Sequence, residues 1–487
     1  MNDNNVSENP HIEGGALPAE MTDVNMTNVN MTNVNMTDAM LTPSKKQMRA
    51  SILKLSWPAA IELMLSSTIS MINMAMVASL GAEAVSAVGV TGQPVMIPWV
   101  LIQAFSVGGT AIIARSIGER DMALARRASE QMLLLALFAG LFCGSILYIF
   151  GGGIIGLMGA TPDYYSMAEL YIKFSAAGVA FQSITTTIAA IMRGAGRTRL
   201  TMRFNVIANI ANVSIGFPLI YGVGPIPSLG ILGAGVAVLC AQIIGCALAL
   251  LTLFRSQSLP IHPRARMILL PEISVIRRIS VIGASSALEQ VALRVGLILF
   301  TIYVIRLGTA EYAAHNIAGS VHSYVVNIGS AFSIALVSLV GQNLGAKRPD
   351  LAEKYFLEAI KLCVAISSFF MVILLLFPGS FALLFTRDSD VTANIIIALR
   401  ILALFVPSQI IQIAVCGGLR GGGDTKWPLI STMIGVLGMR MIIGYFFVVL
   451  FEWGIAGAWF CWFMDQTTRM VIILFRYKRG KWKNVVV

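Results

Sequence analysis

Charge is scarce in this sequence. Only 12% of its 487 residues are Asp, Glu, Lys or Arg, while 56% are hydrophobic, which leaves too little polar surface to clothe a water-soluble globule. Histidine is nearly absent as well. Of the four, His11 lies in a polar N-terminal stretch and His262 in a loop. His315 and His322 are two helical turns apart with no acidic neighbour, a poor start for a metal site. The six cysteines (143, 240, 246, 363, 416 and 461) all fall inside apolar runs without CxxC spacing, and are read as small buried hydrophobes. No HExxH, GxSxG or P-loop pattern occurs, which argues against an intramembrane hydrolase and against a nucleotide-driven pump. Residues 1–43 contain no Lys or Arg and carry the near-repeats MTDVN, MTNVN, MTNVN and MTDAM. Such a segment is expected to be a disordered tail and lacks the basic start of a cleavable leader.

What the chain has in abundance is long apolar runs. Twelve approach or exceed the ~20 residues that span a bilayer: 52–79, 92–113, 130–150, 167–191, 204–223, 230–254, 279–305, 313–340, 357–377, 394–418, 428–451 and 455–475. Gly, Pro, Ser and Thr inside them predict tilted or kinked helices. Lys and Arg cluster in alternate connections, whereas the other connections hold only Arg306 and Arg387. Because cytoplasmic flanks retain basic residues, both termini are expected in the cytoplasm of a multi-pass cell (plasma) membrane protein. The formal charge of +11 then reflects topology and anionic-lipid contact, not nucleic-acid binding.

The stretches RGAGRT at 193–198 and RGGGDT at 420–425 are offset by 227 residues, and the same offset relates Glu62 to Glu289, Gly81 to Gly308, Gly118 to Gly345, Lys173 to Arg400 and Gln182 to Gln409. Repetition of rare intramembrane charges marks an internal duplication. An even number of spans per copy gives both copies one orientation. The fold expected is therefore an all-α integral membrane protein with twelve transmembrane helices in two parallel-repeat six-helix bundles: tail 1–43, bundle 44–254, cytoplasmic linker 255–278, bundle 279–478 and tail 479–487. The glycine-rich turns are read as tight reversals with Thr198 and Thr425 capping the next helix and Arg193 and Arg420 facing headgroups.

An ionisable residue inside a span is costly, and is a functional candidate when it faces a cavity. Glu62, Ser66, Ser70 and Asn73 share one helical face, as do Asn205, Asn209 and Asn212, and as do Asn316, Ser320, Ser323, Asn327 and Ser330. Each stripe is expected to face an interior, either a cavity or an interhelical hydrogen-bond seam. Glu289 has no i,i+4 base, and Arg294 lies too far round its helix to pair with it. An unpartnered membrane carboxyl suits a proton carrier. Lys173 is expected to pair with Glu169, and Asp465 with Arg469.

The runs ALEQVALRVG (287–296), AAHNIAGSV (313–321), LVGQNLGAKRPDLAEK (339–354), LRGGGDTKWP (419–428) and WGIAGAW (453–459) resemble those of the Multidrug And Toxic compound Extrusion (MATE) family over residues 50–478. The resemblance implies two bundles around a central cleft and export coupled to an inward H⁺ or Na⁺ gradient, with no cofactor. It also implies amphipathic, often cationic small-molecule cargo, a monomer in the bilayer and no enzymatic activity. Where family branches carry coupling aspartates, this chain has Asn73, Gly216 and Gln409, so Glu62 and Glu289 become the leading substitutes. The coupling or substrate set expected is Glu289, Glu62, Arg294, Asn73, Asn209, Asn212, Asn327 and Gln409. The alternative is a flippase for a lipid-linked anionic headgroup, disfavoured because the deep bases Lys173, Arg294, Arg400 and Arg440 lie on four helices; an intramembrane enzyme ranks below both.

Overall fold

The computed structural model describes residues 43–225, 227–256, 259 and 261–485. The tail repeats expected to be disordered lie outside the described residues. Twelve long helices follow one another: α1 Lys45–Ala78, α2 Ala82–Gly118, α3 Met122–Leu157, α4 Pro162–Gly194, α5 Thr198–Tyr221, α6 Ile231–Arg255, α7 Ile273–Ile305, α8 Thr309–Gly345, α9 Pro349–Leu376, α10 Ser389–Gly421, α11 Lys426–Leu450 and α12 Gly454–Lys478. Eleven are long and apolar enough to cross a membrane. The remaining helix, α12, is of similar length but carries Asp465, Arg469, Arg476 and Lys478. In hydrocarbon every backbone amide needs a partner within its own segment, so a chain this apolar folds into helices; no strand occurs among the described residues.

Backbone geometry repeats along with the sequence. Arg120 and Lys347, related by the 227-residue offset, are both left-handed at φ 61° and 57°, and Gly196 and Gly423 in the two glycine-rich turns are left-handed at 71° and 84°. Pro58, Pro94, Pro98, Pro218 and Pro407 sit inside helices. α11 departs further: Met433–Ile443 and Phe446–Leu450 are wound as π-helix, a rare geometry that concentrates at functional sites.

The first bundle, α1–α6, and the second, α7–α12, meet along α1, α2, α7 and α8. The linker is strapped to α3, where Glu130 accepts from the Arg264 backbone at 2.8 Å and Gln131 donates to the Leu270 carbonyl at 2.9 Å. Both ends of the described chain lie at the same end of the bundles. Arg49 at the start of α1 pairs with Glu358 of α9 at 2.6 Å, while past α12, Lys483 reaches Glu353 and the Val485 carbonyl accepts from Arg115 of α2.

At this termini end the halves touch backbone to backbone. Gly118 closes α2 and Gly345 closes α8, and a Cβ on either would overlap a carbonyl oxygen of the other helix, Gln342 or Arg115 respectively. Small residues allow such approach where apolar lipid gives helices little hydrophobic reason to associate. Gln342 adds a hydrogen bond from its side chain to the Gly194 carbonyl at 3.2 Å. Gly108 against Ile279 and Gly283 against Ala104 extend the seam between α2 and α7.

Candidate functional site

Between the halves lies a cavity of about 600 Å³, walled by residues of α1, α2, α4, α7, α8, α10, α11 and α12. Its lining is part apolar (Trp99, Val107, Leu293, Ile334, Trp462) and part amide and hydroxyl (Gln103, Ser286, Gln412, Gln466). Helix period explains the arrangement. Gln409, Gln412, Cys416 and Arg420 follow one face of α10, and Trp462, Gln466 and Arg469 one face of α12, with all seven on the wall.

The two glutamates are not free. Arg193 donates to Glu62 at 2.5 Å, with further bonds from Thr201 at 3.0 Å and Asn205 at 2.9 Å. In the second half Arg420 donates to Glu289 at 2.6 Å and Thr432 donates to it at 3.3 Å. The two clusters are built from the same parts: a first-helix acid, the arginine ending the fourth helix, and a threonine of the fifth. This corrects three expectations. Glu289 has a partner, Arg193 and Arg420 turn inward instead of facing headgroups, and the Thr caps are absent. Arg197 stands at the N-cap of α5 and Thr425 caps α11 without a side-chain bond. The cause lies in the turns, whose left-handed glycine reverses the chain directly behind an arginine aimed at the first helix.

Asp465 pairs with Arg440, not with Arg469 as its i,i+4 spacing suggests. Gly435 permits this: a Cβ there would collide with the Asp465 carboxylate and the Arg469 side chain, so α11 lies close enough to deliver Arg440. Arg440 stands over Trp462 at 4.6 Å and Phe300 at 5.9 Å, at a desolvated cation–π distance. Arg469 instead donates to Thr432 at 2.9 Å. Lys173 pairs with Glu169 at 2.8 Å as expected.

Of the eight candidate residues, Glu289, Arg294, Asn327 and Gln409 line the cavity and Glu62, Asn73, Asn209 and Asn212 do not. Gln409 accepts through Oε1 from His322 Nε2 at 2.7 Å, Asn327 donates to Ser67 at 2.8 Å across the halves, and Arg294 reaches the Met96 sulfur at 3.5 Å. Asn209 donates to Ser66 at 3.0 Å, so the stripes of α1 and α5 zip those two helices together: the seam, not the cavity. Asn212 is buried and Asn73 half-buried. Arg469, Arg193, Arg420, Gln412, Gln466, Trp462 and His322 also line the cavity and were not among the expected set. The one-face spacing on α10 and α12 was the available signal. Lys173 and Arg400 are absent from the wall, yet five arginines (193, 294, 420, 440 and 469) share it, so the bases are gathered and not dispersed.

The comparisons with known proteins agree with the duplication. The family model described as MatE matches twice, over residues 58–218 and 285–446, one match per half. The chain belongs to the MatE family. This MatE chain is 26% identical over 445 residues to a probable multidrug resistance protein NorM of Thermotoga maritima, covering 91% of this chain and 94% of that one. It is 24% identical over 444 residues to multidrug resistance protein MdtK of Proteus mirabilis, covering 87% and 93%. Among solved structures, one described as the outward-facing conformation of a multidrug resistance MATE family transporter superposes with a TM-score of 0.83 at 22% identity, covering 91% of this chain and 99% of that one. The protein is thus a multi-pass membrane transporter and not an enzyme.

Proposed function

We propose that the protein exports amphipathic small molecules from the cytoplasm by opening the cavity between its halves alternately to the two membrane faces. The carrying observation is the cavity itself: about 600 Å³, large enough for a drug-sized molecule, enclosed between two duplicated bundles that touch backbone to backbone at one end. Parallel repeats that rock about a central site are a recurrent transporter design. The basic residues of alternate connections support a termini end on the cytoplasmic side of the plasma membrane, and on that reading the state described is closed toward the cytoplasm. Relatives named for multidrug resistance support broad cargo, and mixed aromatic and amide walls suit it. The transporter is a monomer without cofactor, and an inward H⁺ or Na⁺ gradient drives it. Glu289, the one carboxylate among the described lining residues, is the proposed coupling group.

Proteoliposomes loaded with ethidium or fluorescein, under a pH gradient in one set and a Na⁺ gradient in another, should release at least one dye severalfold faster than protein-free vesicles. Release indifferent to both gradients would contradict the coupling. A second reading, movement of a lipid-linked anion, is favoured by the five arginines of the wall and is separated by the lipid measurement below.

A further inference from the structure

We infer that the cargo this cavity binds is anionic: an amphipathic molecule carrying a carboxylate, sulfonate or phosphate. The inference rests on the exporter reading and specifies its substrate. An uncommitted carboxylate would favour cationic cargo, and the described lining residues offer none. Glu62 is held by Arg193, Asp465 by Arg440, and Glu289 by Arg420. Among the described residues the five arginines of the wall pair with these three carboxylates, so two formal positive charges remain, on Arg294 and Arg469.

These two are placed to receive an anion. Arg469 is more than nine-tenths buried, with a relative exposure of 6%, yet its Nε has no hydrogen-bond partner and its described polar contact is Thr432. A buried guanidinium without a direct ion pair carries a desolvation cost, and an incoming anion lowers it. Arg294, on the α7 wall, spends a donor on a thioether sulfur, a weak acceptor that a carboxylate or phosphate oxygen displaces readily. Ser106 and Ser286 add buried hydroxyls on the wall that lack partners. The planar guanidinium fork matches carboxylate and phosphate geometry, while Trp99 and Trp462 supply surface for an apolar body. An anionic cargo also leaves with the help of an inside-negative membrane potential.

The test separates binding from movement. Fluorescence anisotropy of the purified full-length protein in detergent should show saturable fluorescein binding and at least about tenfold weaker ethidium binding, the size expected for a charge-assisted hydrogen bond made or missed. Arg469→Gln and Arg294→Gln should each weaken fluorescein about tenfold without weakening ethidium. Arg294 is half-exposed and its described bond is to sulfur, so its variant keeps the test valid if Arg469→Gln misfolds. Dithionite quenching of NBD-phosphatidylglycerol, with NBD-phosphatidylcholine as control, identifies the source. Selective flipping of phosphatidylglycerol makes the anion a lipid headgroup; fluorescein release without flipping makes it a free compound. Fluorescein binding without movement of either probe would sink the exporter reading and keep the anion site. Ethidium binding tighter than fluorescein, or equal loss of both dyes in Arg294→Gln, would overturn the anion site whatever is transported.

Discussion

A Gly345→Leu variant is expected to lose export by about 10- to 100-fold while inserting normally. The side chain would have to occupy the position of the Arg115 carbonyl oxygen at the end of α2. Backbone cannot swing aside as a flexible side chain can, so the variant must hold α2 and α8 apart at the termini end. Overpacking costs of about 1–3 kcal/mol correspond to about a 5- to 150-fold population change, which brackets that range. The penalty falls only on the state closed at this end, which is why transport suffers more than folding. Gly118→Leu should behave alike, because it meets the Gln342 carbonyl in the repeat-related position. Gly319→Leu on the same helix, where a Cβ meets nothing within 4 Å, serves as control. Dye release at matched membrane abundance reads the effect, and wild-type release by Gly345→Leu would show that this crossing does not gate the cavity.

Removing a repeat-related glutamate should cost stability before it costs coupling. Glu289→Ala leaves Arg420 unpaired among buried neighbours and strips Thr432 of its acceptor. Breaking a buried pair from one side costs about 3–5 kcal/mol because a charge is left uncompensated. Glu62→Ala is expected to do the same to Arg193, with Thr201 and Asn205 also losing their acceptor. Adding Arg420→Met to Glu289→Ala should recover part of the loss, since neither charge then remains. Thermal denaturation of the purified variants measures both steps. If Glu289→Ala melts with the wild type, the pair is not structural, and the glutamate is available for coupling alone.

The fold was largely legible, and the cavity only in part. Apolar length and the 227-residue offset give twelve spans in two halves because both follow from bilayer thickness and duplication, which leave marks all along the chain. The offset also set Glu62 beside Glu289 and Arg193 beside Arg420 as equivalents. It did not join acid to base, since the partners are 131 residues apart and no helical period connects the end of one span with the middle of another. The α1 and α5 stripes show how far periodicity goes: it says that Ser66 and Asn209 face an interior, and leaves open that the interior is each other. Asp465 shows where local spacing misleads. Four residues from Arg469 it has the geometry to pair, yet Gly435 admits α11 and Arg440 takes the carboxylate. The count of deep bases failed for a related reason. Arg193 and Arg420 look like flank charges in sequence and Arg469 like the local partner of Asp465, and only the tertiary crossing of α4, α10 and α12 turns them to one wall.

The central claim is that cargo occupies the cavity between the halves and that this cavity opens to both sides. The most direct test places a single cysteine at Ser330, on the cavity wall, in a background with the six native cysteines replaced. The site is then labelled with a membrane-impermeant thiol reagent from either side of sealed vesicles. Labelling from both sides, slowed severalfold by saturating cargo, is the result predicted. Labelling from neither side, or at a rate that cargo leaves unchanged, would contradict the account.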